Sequence, residues 1–126
     1  MTTRSTRLLA EHGALARGAF AVATLVSLAV LFAPASDVPS APPGVDKVVH
    51  VLLFAVLAAS GRWAGVRRGV LAVLLVGYAA VSELLQSLPV LNRSTSVADL
   101  VADVAGVVLG LLVWDVAARY RAARPT

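Results

Sequence analysis

Four apolar stretches follow one another within 126 residues, at positions 18–32, 48–60, 70–85 and 97–116. A helix that crosses the hydrocarbon core of a bilayer needs about 20 residues rising about 1.5 Å each. The third and fourth stretches approach that length. The first two fall short unless residues 14–17 and 61–63 extend them, and a bundle tolerates short spans whose polar ends are covered by neighbours. Composition leaves little alternative. The chain is 59% hydrophobic and 14% charged, whereas soluble domains are about half apolar and about a quarter charged. A domain this small exposes too much surface to hide that apolar excess from water. The expected fold is all-α: an integral membrane bundle of four transmembrane helices near 14–33, 46–63, 69–88 and 96–117, in one domain over 1–126.

The connections are punctuated as loops. Pro34, Pro39, Pro42, Pro43 and Gly44 stop any helix between the first two spans. Arg62, Arg67 and Arg68 make the second connection a basic turn, and Pro89 and Asn92 mark the third. Arginine placement sets the orientation. Arg4, Arg7, Arg17, Arg62, Arg67, Arg68, Arg119, Arg121 and Arg124 fall on one side with only Glu11 and Asp115, giving +7. Lys47 and Arg93 oppose Asp37, Asp46, Glu83, Asp99 and Asp103 on the other, giving −3, and the two sum to the +4 of the chain. Both termini are expected in the cytoplasm, with the protein multi-pass in the cell's plasma membrane. Ala33-Pro34-Ala35 imitates a signal-peptidase site. A proline inside that motif and a long basic flank favour an uncleaved first helix.

Ionisable side chains inside spans cost roughly 2.5–3.5 kcal/mol each at mid-membrane and so ask for a reason. Here they gather at one depth. Asp46, Lys47 and His50 open the second helix, Glu83 and Gln86 close the third, Arg93 lies in the loop, and Asp99 and Asp103 open the fourth. The inner halves of the spans carry no comparable group, so the intramembrane polar residues are read as one outward-facing shelf. Spacings of three or four put Asp46 with His50, Glu83 with Gln86, and Asp99 with Asp103 on shared helix faces. Glu83 should lie roughly 7 Å below the end of its helix. Asp99 and Asp103 repel each other and want a cation. Arg93 is the nearest candidate, with Lys47 and protonated His50 behind it.

Structural duties stand beside the functional ones. Ser96-Val97-Ala98-Asp99 matches a capping box, and Asp46 suits the positive end of the second helix. A lone histidine is more often a hydrogen-bonding member of a bundle than a ligand or base. For the set as a whole, structural locking and a functional site both stay open. Ala98, Ala102, Gly106 and Gly110 form a small-residue stripe, and Gly106 with Gly110 makes a GxxxG pattern that permits close helix contact. It is expected to seat the fourth helix within its own bundle.

Taken in order, Asp46-Lys47-Val48-Val49-His50, Glu83-Leu84-Leu85-Gln86 and Arg93-Ser94-Thr95-Ser96-Val97-Ala98-Asp99, with Gly106 behind, resemble the VanZ-like family of small bacterial membrane proteins. The family pattern is D-K-x-x-H, E-x-x-Q, R-x-x-x-x-x-D-x-x-x-N-x-x-G. The resemblance is close from Asp46 to Gly110. Three positions depart from it. Val51 stands where an aromatic residue is frequent and Asp103 where asparagine is usual. Pro89 and Asn92 replace a Pro-Gly turn, and Asn92 can take the left-handed conformation that glycine would supply. The namesake is associated with low-level resistance to the glycopeptide teicoplanin, which the resemblance makes an expectation of envelope function.

Zero cysteines exclude disulfides, thiolate nucleophiles and cysteine-bound metals. No alternation of basic and aromatic residues suggests nucleic acid. The leading expectation is a binding or accessory protein of the cell envelope. Its shelf would hold a membrane lipid, a cell-wall precursor or a glycopeptide antibiotic, with Arg93 and Lys47 taking an anionic group. A second reading is an enzyme on a lipid-linked substrate, with Glu83 or His50 as general base. Ligand type alone would admit Mg²⁺ or Zn²⁺ among His50, Glu83, Asp99 and Asp103. With no dense metal motif in the sequence, no metal or other cofactor is expected. Transport ranks last, because transporters place ionisable groups along a path to both faces.

Overall fold

The computed structural model describes residues 12–93 and 96–125. Arg4, Arg7 and Glu11 of the basic flank, and Ser94 and Thr95 of the third connection, lie outside the described residues. Within them the chain forms four α-helices and no strand: α1 (Ala14–Leu31), α2 (Val45–Trp63), α3 (Arg68–Gln86) and α4 (Val97–Ala123), with a single 3-10 turn at Ala35–Asp37.

Local chemistry explains each boundary. Pro34 follows α1 closely, and Pro42, Pro43 and Gly44 lead into α2. At the other end of α2 the Gly65 N–H bonds the Arg62 carbonyl and the Val66 N–H bonds the Gly61 carbonyl, both at 3.0 Å. This is a Schellman closure, and the φ of +93° at Gly65 is the left-handed backbone it requires. Asn92 takes φ +47° in the third connection, in keeping with its place in the turn. Ser96 caps α4, its Oγ accepting the Asp99 N–H at 3.2 Å. The fourth helix then continues six residues beyond the expected Ala117, to Ala123. Its last turns are charged and hence invisible to an apolar window, yet arginine and alanine are good helix formers.

Packing centres on α2, which touches the other three helices and lies most extensively along α4. Both helices run in the same direction. Gly106 faces the Val51 carbonyl and Gly110 the Ala55 carbonyl, and a Cβ on Gly110 would come within 2.7 Å of the Ala58 Cβ. Only glycine permits that approach. The expected intrachain role of the stripe is therefore what the structure displays. Leu31, Phe54, Leu57, Ala58, Leu71, Leu75, Ala79, Val107 and Leu111 form the interior, with the Phe54 and Tyr78 rings 5.7 Å apart. Large apolar side chains such as Leu25, Val73, Leu84, Val101 and Val113 point outward instead.

Three helices, α1, α3 and α4, are long and apolar enough to cross a membrane. The second is nearly as apolar, but Asp46, Lys47 and Arg62 set it apart. Away from the acidic end, Arg68 Nη1 pairs with Asp115 Oδ2 at 2.6 Å and ties α3 to α4.

Candidate functional site

The singled-out residues divide into three groups. The first lies at the start of α2 and α4. Lys47 Nζ donates to Asp99 Oδ1 at 3.0 Å and to Asp46 Oδ2 at 3.1 Å. The cation nearest Asp99 is thus Lys47 from the neighbouring helix, and not Arg93. Asp99 is buried while Lys47 and Asp46 are exposed, so the pair sits at the rim of the bundle.

One turn deeper, His50 Nδ1 lies 2.6 Å from Asp103 Oδ1, both side chains buried. The α2–α4 glycine contacts begin directly below this pair and hold the two backbones at the distance it needs. Glu83 enters from α3, and ligating atoms of His50, Glu83 and Asp103 come within 4.8 Å of one another. Among the described residues, Asp103 Oδ2 and both Glu83 carboxylate oxygens are buried without a hydrogen-bond partner. The Ser96 N–H lies near Glu83 but completes no hydrogen bond to it. A cleft of about 500 Å³ between α3 and α4 is lined by Ala80, Glu83, Leu84, Ser87, Ser96, Val97 and Leu100.

A third group fastens α1. Gln86 Nε2 donates to the Leu31 carbonyl at 2.7 Å, and Arg93 Nη1 donates to the Ala33 carbonyl at 2.9 Å. Carbonyls at a helix end have no partner within the helix, so these side chains supply one. Glu83 and Gln86, expected to act on one face, thus reach different neighbours. Gln86 serves the end of α1 and Glu83 the cleft.

A family model for VanZ/LLP1 matches residues 11–118, most of the chain and all three groups. The chain belongs to the VanZ/LLP1 family. With its apolar helices, it is a membrane protein of VanZ type. No curated protein and no solved structure shows significant similarity to it. In this VanZ/LLP1 chain Asp103 puts a carboxylate against His50.

Sequence reasoning missed one polar contact. Ser27 Oγ and Tyr78 OH are 3.0 Å apart between α1 and α3, so polar residues in the spans are not confined to the shelf. An isolated hydroxyl in an apolar run has no spacing signal. Ser60 lies deeper in α2, but its hydroxyl bonds its own helix at the Val56 carbonyl, 2.6 Å away.

Proposed function

We propose that this membrane protein crosses the bilayer four times with both termini in the cytoplasm. Its polar end faces outward and binds an amphiphile there. The arginine distribution supports the orientation. The central position of α2, in contact with all three other helices, supports its being a fourth span, with Asp46 and Lys47 at the rim of the bundle.

The observation that carries the binding reading is Glu83: it lines a cleft, and its two buried carboxylate oxygens have no partner among the described residues. A buried polar atom in this state has a large desolvation cost and calls for a partner. Lys47 and Arg93, first read as holders of an anion, are engaged by Asp99 and Asp46 and by the end of α1. The head group best suited to the cleft therefore brings N–H or O–H donors to Glu83, while Leu84, Val97 and Leu100 accommodate its apolar portion. A lipid-linked cell-wall precursor and an acylated glycopeptide such as teicoplanin share that chemistry. Each, fluorescently labelled, would be titrated against the protein in lipid nanodiscs. Saturable binding lost on Glu83→Ala supports the reading, and equal binding by wild type and variant refutes it.

The buried His50–Asp103 pair favours a second reading, an enzyme on a lipid-linked substrate. An imidazole oriented by a carboxylate is the arrangement a general base requires. Turnover of the labelled precursor, abolished in His50→Gln, would distinguish catalysis from binding.

A further inference from the structure

We propose that His50, Glu83 and Asp103 bind one first-row divalent cation, with Zn²⁺ the best match among common ions. The claim stands whether or not an amphiphile enters the cleft. Three helices each contribute one ligand: α2 an imidazole, α3 and α4 a carboxylate each, with the ligating atoms within 4.8 Å of one another. Zinc bonds to nitrogen and oxygen of about 2.0–2.2 Å bring tetrahedral ligands to roughly 3.5 Å apart. Closing that gap requires about an ångström of movement, estimated from those same bond lengths. Glu83 can supply it, since among the described residues its carboxylate has no hydrogen bond to break, while the 2.6 Å contact of His50 Nδ1 with Asp103 Oδ1 must open by a similar amount if both atoms ligate.

Independent of that proximity, three carboxylate oxygens are already without partners. Asp103 is fully buried, and its Oδ2 has no hydrogen-bond partner, nor has either Glu83 oxygen. Two carboxylates facing one imidazole, if both are ionised, leave net negative charge away from water even with the imidazole protonated. Uncompensated charge in such a place is strongly unfavourable. A divalent ion neutralises it and gives the idle oxygens a partner. A proton shared between the carboxylates is the alternative that the measurement must exclude.

Donor chemistry selects the class of ion. Calcium takes six to eight oxygens, and magnesium prefers oxygen ligands and water. One imidazole and two carboxylates suit zinc, manganese or iron(II), and three protein ligands leave a coordination position open. The cleft reaches Glu83, so that position is where an incoming donor would meet the ion. Consecutive sequence holds no metal motif because the three ligands come from three helices. Only the close α2–α4 seam brings them together.

The test uses the full chain, stripped with a chelator, exchanged into nanodiscs and dialysed against Zn²⁺ alone, with bound metal measured by elemental analysis. Co²⁺ substitution supplies an optical readout, because low-coordinate cobalt absorbs in the visible. One ion per chain and a cobalt spectrum are expected. Glu83→Gln removes a direct ligand and should weaken Zn²⁺ binding by at least the roughly hundredfold seen when only the partners of ligands are altered. Among the described residues Glu83 has no hydrogen bond to lose, so this variant tests the site without disturbing the His50–Asp103 pair; circular dichroism monitors folding. His12→Ala, remote from the site in the sequence, should bind as wild type does. Folded wild type without stoichiometric zinc overturns the proposal. So does a folded Glu83→Gln that binds as tightly as wild type, or binding that disappears with His12.

Discussion

His50 Nδ1 and Asp103 Oδ1 meet at 2.6 Å across the seam between α2 and α4, fully inside the bundle. They are joined only because two glycines just below let the helix backbones approach. Recognition, packing and site geometry therefore share one structural cause, and each can be perturbed separately.

Asp103→Ala removes the carboxylate and leaves His50 buried alone. Breaking a buried charged pair from one side costs about 3–5 kcal/mol. Asp103→Asn retains a hydrogen-bonding group and restores the residue usual in the family, so its loss should be clearly smaller. Chemical unfolding in micelles measures both, and equal losses for the two variants would contradict the pairing.

Gly106→Leu and Gly110→Leu should each destabilise the bundle by at least about 1–3 kcal/mol, the usual range for overpacking. Their added atoms would collide with the Val51 and Ala55 carbonyls, which cannot rotate away. Gly77→Leu is the control, since a Cβ there meets nothing within 4 Å. Thermal unfolding followed by circular dichroism should separate the pair from the control.

Gln86→Ala and Arg93→Ala each free a carbonyl at or just beyond the end of α1. Leaving a buried polar group without its partner costs about 1–3 kcal/mol. Faster amide exchange is expected in the last turn of α1, with α3 and α4 unchanged. Unaltered exchange in α1 would deny these residues the fastening role.

The four helices were legible in the sequence because their outward-facing positions are apolar as well as their inward-facing ones. Ser96 and Asn92 were legible too, since capping and left-handed turns are local chemistry. Partnership between helices was not. Asp99 and Asp103 declared a need for cations, but spacing pointed to Arg93, and that side chain reaches toward α1. Lys47 and His50 lie about fifty residues away in the chain and become neighbours only when α2 and α4 run side by side. The third ligand-bearing group, Glu83, was identifiable as a polar residue in a span. That its carboxylate would lack a partner was not, because such a deficit exists only in three dimensions.

Orientation can be tested directly, because the chain contains no cysteine. Ser36→Cys, in the connection after α1, should react with a membrane-impermeant maleimide in intact cells. Gly69→Cys, at the opposite end of the bundle, should react only after permeabilisation. The reverse pattern would invert the proposed topology.

The central claim is that the acidic end is built for a ligand, at some expense to the stability of the empty protein. Glu83→Gln tests it most directly, with unfolding free energy and binding of the labelled amphiphile measured on the same preparation. Replacing a buried carboxylate that has no partner should leave stability unchanged or raise it, while binding falls sharply. Lower stability with undiminished binding would show that Glu83 is part of the scaffold and that the ligand site lies elsewhere.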